Sequence, residues 1–162
     1  MNAAAWLLLL AGLAQSPSSL AEERRNWFDD PFFQVSSGLE GCPAPLGPLL
    51  TQDEQRREAH YRAERGTSCW LSGQCRESNA YRYDRDLAPQ VAAALKTVPG
   101  IERSSVWVTI QRRWVFLEGC AASVEQIALL ESAARAVPEV EIVVPALNIG
   151  VSGPPRYQLA PR

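Results

Sequence analysis

Apolar positions along the chain fall into two regimes, and the boundary lies near residue 84. From there on they are periodic. Leu87, Val91, Ala94, Leu95 and Val98 recur at i, i+4, i+7, i+8 and i+11, the stripe of a helix buried on one side. Asp86 is its expected N-cap, Pro89 fits a first turn, and Pro99-Gly100 ends it. The strings SSVWVTI and WVFLEG then alternate with period two on either side of Gln111-Arg112-Arg113, which predicts a hairpin. Ser123 followed by Gln126 is a capping box, and Ile127, Leu130, Ala134 and Val137 give a second helix its stripe before Pro138 stops it. VEIVVPALNIG reads as a last strand whose Pro145 requires an edge or a bulge. The order helix, strand, strand, helix, strand predicts an α+β fold for residues 84–151. It is a two-layer αββαβ domain, a three-stranded sheet with both helices on one face.

Residues 22–83 lack that regularity and read as an irregular N-terminal extension. Its aromatics, Trp27, Phe28, Phe32 and Phe33, are too many for a solvated linker and imply packing onto another surface. One helix is expected at about 52–65, opened by a Thr51/Glu54 capping box and closed by Gly66. Its interior is polar, with Asp53/Arg57 and Glu58/Arg62 at favourable i,i+4 spacing. Arg56, Arg57 and His60 read as part of a solvated face, because acids are interleaved with them. The tail from residue 152 to 162 carries prolines and glycines and is expected to be unstructured. At the other end, the apolar run from Ala3 to Ala14, Pro17 and the Ser19-Leu20-Ala21 string predict a cleaved signal peptide over residues 1–21. The fallback cut lies after Ala14, and the run is short for a bilayer span.

Export changes the reading of the cysteines. All four, Cys42, Cys69, Cys75 and Cys120, follow the expected cut, and an even count in an oxidising compartment favours disulfides. Three pairings exist. Cys69 with Cys75 closes a small loop with Ser72-Gly73 as its turn, which leaves Cys42 with Cys120 as a tie between the two halves. With His60 as the single histidine, a zinc site lacks ligands. C-x-x-C and C-x-x-C-H are absent, so thioredoxin-like redox chemistry and haem attachment have no motif. The net charge of -2 argues against a general nucleic-acid binder.

Residues 84–151, through the string from Asp86 to Gly150, resemble the BON domain, a small module of bacterial envelope proteins. The features carrying the resemblance are the Asp-started helix with a Val and a Leu, and the V-x-V strand. Val115, Leu117 and Gly119 follow in a V-x-L-x-G strand, then the Ser-capped helix, and Leu147 to Ile149 end the last strand. Arg112-Arg113 stand where the family often has glycine at the hairpin turn, and Pro138-Glu139-Val140 where it favours Gly-Val. The resemblance implies a non-catalytic binding module with phospholipid or envelope-protein partners. It covers a single copy and leaves the cysteine-bearing extension outside.

No catalytic constellation accompanies it. A histidine-based site would need His60, which has no evident partner, and no phosphate-loop, nucleophile-elbow or zinc-protease string is present. No cofactor and no small-molecule substrate are indicated. Strand alternation sends Val106, Val108, Ile110, Val115 and Leu117 toward the helices and Trp107, Thr109, Trp114 and Phe116 to the opposite face. That aromatic face is either covered by the extension, clamped through Cys42–Cys120, or free to bind a partner. Arg112, Arg113 and Trp114 at the hairpin tip combine cations with an interfacial aromatic, suited to lipid headgroups. The expected role is an exported, periplasmic binding or structural module contacting phospholipid or another envelope component. Two alternatives accompany it: a protein adaptor docking through the extension, and an enzyme using His60 or a free thiol.

Overall fold

In the chain's computed structural model, residues 22–161 are described; the expected signal peptide lies outside them. The periodic half folds as its pattern dictates. Helix α2 (Asp84–Lys96) and helix α3 (Val124–Arg135) lie on one face of a sheet containing β2 (Ser105–Gln111), β3 (Trp114–Ala121) and β4 (Ile142–Ile149). β2 and β3 are the antiparallel hairpin, and β4 runs parallel to β3 after the α3 crossover. Leu87, Val91, Leu95, Val106, Val108, Ile110, Val115, Leu117, Leu130 and Leu147 are all within 2% of full burial between the layers. Gly119 has φ +123, and a Cβ there would meet the Ser105 carbonyl oxygen at 2.1 Å. The last position of V-x-L-x-G therefore admits glycine for two reasons, conformation and space.

The sheet has four strands where three were expected, and the fourth comes from the extension. β1 (Phe32–Ser37) pairs antiparallel with β2 in the order β1-β2-β3-β4, with a register irregularity between Gln34 and Ser36. The domain's own three strands stand as expected; β2 would otherwise be an open edge, and an open edge is a row of unpaired amides that β1 satisfies. Phe33, opposite Val108, packs on the core beneath the helices, while Phe32, opposite Thr109, faces the other side with its ring against Gly47.

Helix α1 (Gln52–Leu71) opens on the expected capping box. Thr51 N donates to Glu54 Oε2 at 2.8 Å and Glu54 N to Thr51 Oγ1 at 3.2 Å. It does not stop at Gly66. That residue is buried where a Cβ would lie 2.6 Å from the Asn79 side chain, so the glycine serves a close approach inside the helix. The helix ends six residues on, at Ser72-Gly73, with Gly73 at φ +72. The expected Asp86 cap is also replaced. A 3-10 turn (Ala80–Tyr83), whose Asn79 Oδ1 accepts from Tyr81 N, leads directly into α2 at Asp84, which places Pro89 one turn deeper than foreseen. The tail from Ser152, read as unstructured, has almost no regular structure but is docked. Leu46 N donates to Gln158 O at 2.7 Å, Ala160 N to Ala44 O at 3.1 Å and Arg156 N to Asn148 Oδ1 at 3.1 Å. Among the described residues no helix is long and apolar enough to cross a membrane.

Candidate functional site

The hairpin tip carries two adjacent arginines beside a tryptophan. Arg112 and Arg113 are its two central residues, at φ 48 and φ 70. Such a turn suits the twist of the strands but ordinarily calls for glycine or asparagine. The compensation is Asp84. Its carboxylate accepts from Arg112 N and Arg113 N, each at 2.7 Å. The group is 2% exposed, and burial pushes its pKa from 3.8 up to about 6, against the pull of those two amide bonds. Asp84 is thus a latch for the turn.

The two arginine side chains part company. Arg113 is 15% exposed and folds back. Its Nε donates to Glu139 O at 2.7 Å, Nη2 lies 3.2 Å from Glu139 Oε2, and Nη1 lies 3.2 Å from Cys75 Sγ. Arg113 is therefore structural and unavailable to an external anion. Arg112 instead lies over the Trp114 ring, its guanidinium carbon 4.0 Å from the centroid. Trp114 and Phe116 are neighbours at 6.4 Å and only half-buried. Trp107 lies toward the other end of β2, opposite Glu118 and Gln34, and is not part of the tip.

The aromatic face is partly covered, by several segments. Cys120 points to this side and is joined to Cys42 with the Cα atoms 5.9 Å apart. The Gly47-Pro48 segment shares a small cleft with Thr109, Phe116 and Glu118, whose carboxyl is raised by burial. Tyr157 of the tail donates to Pro43 O at 2.7 Å, and its own pKa is raised first by burial and then by Glu118. Toward the tip the wall is α1 itself. Arg62 is buried between the rings of Phe28 (4.0 Å) and Tyr81 (4.3 Å) and pairs with the buried Asp30. Asp30 also accepts from Gln111 Nε2 at 2.6 Å. This cluster joins the arm, α1, the 3-10 turn and the sheet. Between α1 and the tip remains a cleft of about 310 Å³ lined by Trp114, Phe116, Arg65, Arg112 and Glu58, the last paired with Arg62 at 3.5 Å. Neither arginine is paired with a carboxylate among the described residues; each lies over an aromatic ring, Arg65 on Tyr61 at 4.8 Å. Trp114 Nε1 and Thr109 Oγ1 are buried without a hydrogen-bond partner among them.

The remaining candidates are readily placed. Cys69 pairs with Cys75, Cα atoms 5.3 Å apart, and no cysteine is free, so a thiol nucleophile has no residue to use. His60 is 73% exposed on α1, with Nε2 3.4 Å from Glu64 Oε1, away from the clefts. Sequence reasoning missed Asp84 and Arg65. Asp84 was hidden because an acid at a helix start already has a local explanation, and Arg65 because its helix looked uniformly solvated.

Comparison with family models matches residues 83–150 to the BON domain, in a single copy. No curated protein and no solved structure matches the chain.

Proposed function

We infer, from the single BON domain at residues 83–150 as premise, that the protein is an exported, non-catalytic module of the cell envelope that binds anionic phospholipid surfaces. The BON domain is in general a binding module, and its two companion disulfides suit an oxidising compartment. The periplasm, entered through a cleaved signal peptide, is the compartment this reading assigns. The observation that carries the lipid assignment is the rim of the α1–hairpin cleft. Two guanidinium groups, Arg65 and Arg112, stand there free of carboxylate partners among the described residues, beside half-buried Trp114. Cations near an anionic leaflet contribute about 1 kcal/mol each, and indole rings settle at the headgroup level. Arg113, similar in the sequence, contributes nothing outward.

Vesicle flotation tests this. The protein is expected to rise with phosphatidylglycerol-containing vesicles and to remain behind with phosphatidylcholine alone. Arg112→Glu is expected to weaken the anionic binding about tenfold. Equal indifference to both vesicles, with a protein recovered by cross-linking in the envelope, would transfer the role to the adaptor reading.

A further inference from the structure

The last turn of α1 stands out from the fold as a knuckle, and it lies outside the matched domain. Trp70 and Leu71 are 47% and 80% exposed. Side chains so placed add nothing to the core, yet the segment bearing them is closely fixed. Cys69–Cys75 closes it at a sequence separation of 6. Cys75 is 8% exposed within the main core, so the base of the knuckle is held by the body of the protein. Part of its backbone is paired within the loop. Ser72 N donates to Ser68 O (3.1 Å), Gly73 N to Trp70 O (3.0 Å), and Gln74 N and Cys75 N to Cys69 O (2.8 and 3.2 Å). Helix C-termini ordinarily leave carbonyls that need water. Here the carbonyls of residues 68, 69 and 70 each have a donor. Arg65 and Arg112 line the cleft beside Cys69 and Ser72, and the one carboxylate lining it among the described residues, Glu141, lies 4.0 Å from Arg113.

We propose that the Trp70-Leu71 knuckle is the element that enters the headgroup–acyl boundary of an anionic phospholipid bilayer, with Arg65 and Arg112 taking the phosphates. This rests on the lipid reading above and locates it. An apolar boundary penalises unpaired backbone groups, and the carbonyls of residues 68, 69 and 70, at the end of the helix, are already paired. The disulfide has already removed the freedom that binding would otherwise cost. Tryptophan beside leucine supplies an interfacial ring and an apolar tip, and the two cations match the sign of the surface. Trp70, Leu71 and Arg65 come from the extension and Arg112 from the hairpin, so the domain alone would lack the Trp70-Leu71 tip.

The experiment uses the protein in the form the producing cell makes. It is bound to vesicles of phosphatidylethanolamine and phosphatidylglycerol, with and without bromine on the acyl chains. Brominated lipid is expected to quench the tryptophan emission, and Trp70→Phe is expected to abolish most of that quenching. Trp70→Ser/Leu71→Ser is expected to reduce vesicle binding at least about tenfold, with far-UV circular dichroism unchanged because neither side chain belongs to the core. Undiminished binding of the double variant, or quenching that Trp70→Phe leaves undiminished, overturns the knuckle and leaves the lipid reading intact. Failure of the unaltered protein to bind these vesicles removes both. Self-association lost in the double variant while vesicle binding persists would assign the knuckle to a second copy of the chain instead.

Discussion

A single carboxylate decides the shape of the hairpin tip. Asp84 is buried, its pKa is raised to about 6, and it holds both turn amides. A raised carboxyl pKa means that the folded state keeps its proton more tightly than the unfolded chain does. The stabilisation is complete below about pH 4 and is lost as pH rises through 6. Asp84→Asn removes that titration. Urea unfolding of the two proteins at pH 4 and pH 7 is expected to show a smaller loss of stability in the variant, the difference approaching ~3 kcal/mol. The neighbouring arginines should separate just as cleanly. Arg113→Ala breaks the contacts to Glu139 and Cys75 and is expected to cost about 2 kcal/mol; Arg112→Ala is expected to stay within about 1 kcal/mol. The sequence shows two adjacent arginines in a turn and cannot tell them apart. Their fates depend on Glu139, 26 residues away, and on which way each side chain leaves the tip.

Among the elements, those with a periodic apolar stripe were legible and those depending on a distant partner were not. α2, α3 and the three strands from β2 to β4 follow from spacing alone, as does the capping box of α1. β1 was not legible. Phe32 and Phe33 are adjacent, so the string reads as an apolar lump without alternation, and only pairing with β2 makes it a strand that puts one ring on each face. Gly66 misled because glycine is the usual helix stop; what it does here is let Asn79 approach, a contact 13 residues ahead. Gly119 was read correctly as part of a motif, and the structure adds the reason. Gly119→Ala must place a Cβ 2.1 Å from the Ser105 carbonyl in a left-handed conformation. It is expected to cost at least about 3 kcal/mol, measured by chemical denaturation.

At the scale of the molecule, the extension is part of the fold. It donates an edge strand, a wall of the aromatic face and the buried Asp30–Arg62 pair, and it is tied to β3 by Cys42–Cys120 across 78 residues. In the chain-entropy view a loop of that length confers about 4 kcal/mol and the Cys69–Cys75 loop about 2. Cys42→Ser/Cys120→Ser is therefore expected to lower the urea midpoint more than Cys69→Ser/Cys75→Ser does. Vesicle binding is expected to respond in the opposite order, since the smaller ring shapes the surface proposed to meet lipid. That surface faces one end of the molecule, where α1 ends and the hairpin turns. Hydrogen exchange with and without phosphatidylglycerol-containing vesicles examines the whole chain at once. Slowed exchange confined to residues 65–76 and 111–114 is the expected result; slowing at α3 and β4 instead, or no slowing anywhere, would contradict a lipid-facing role for this end.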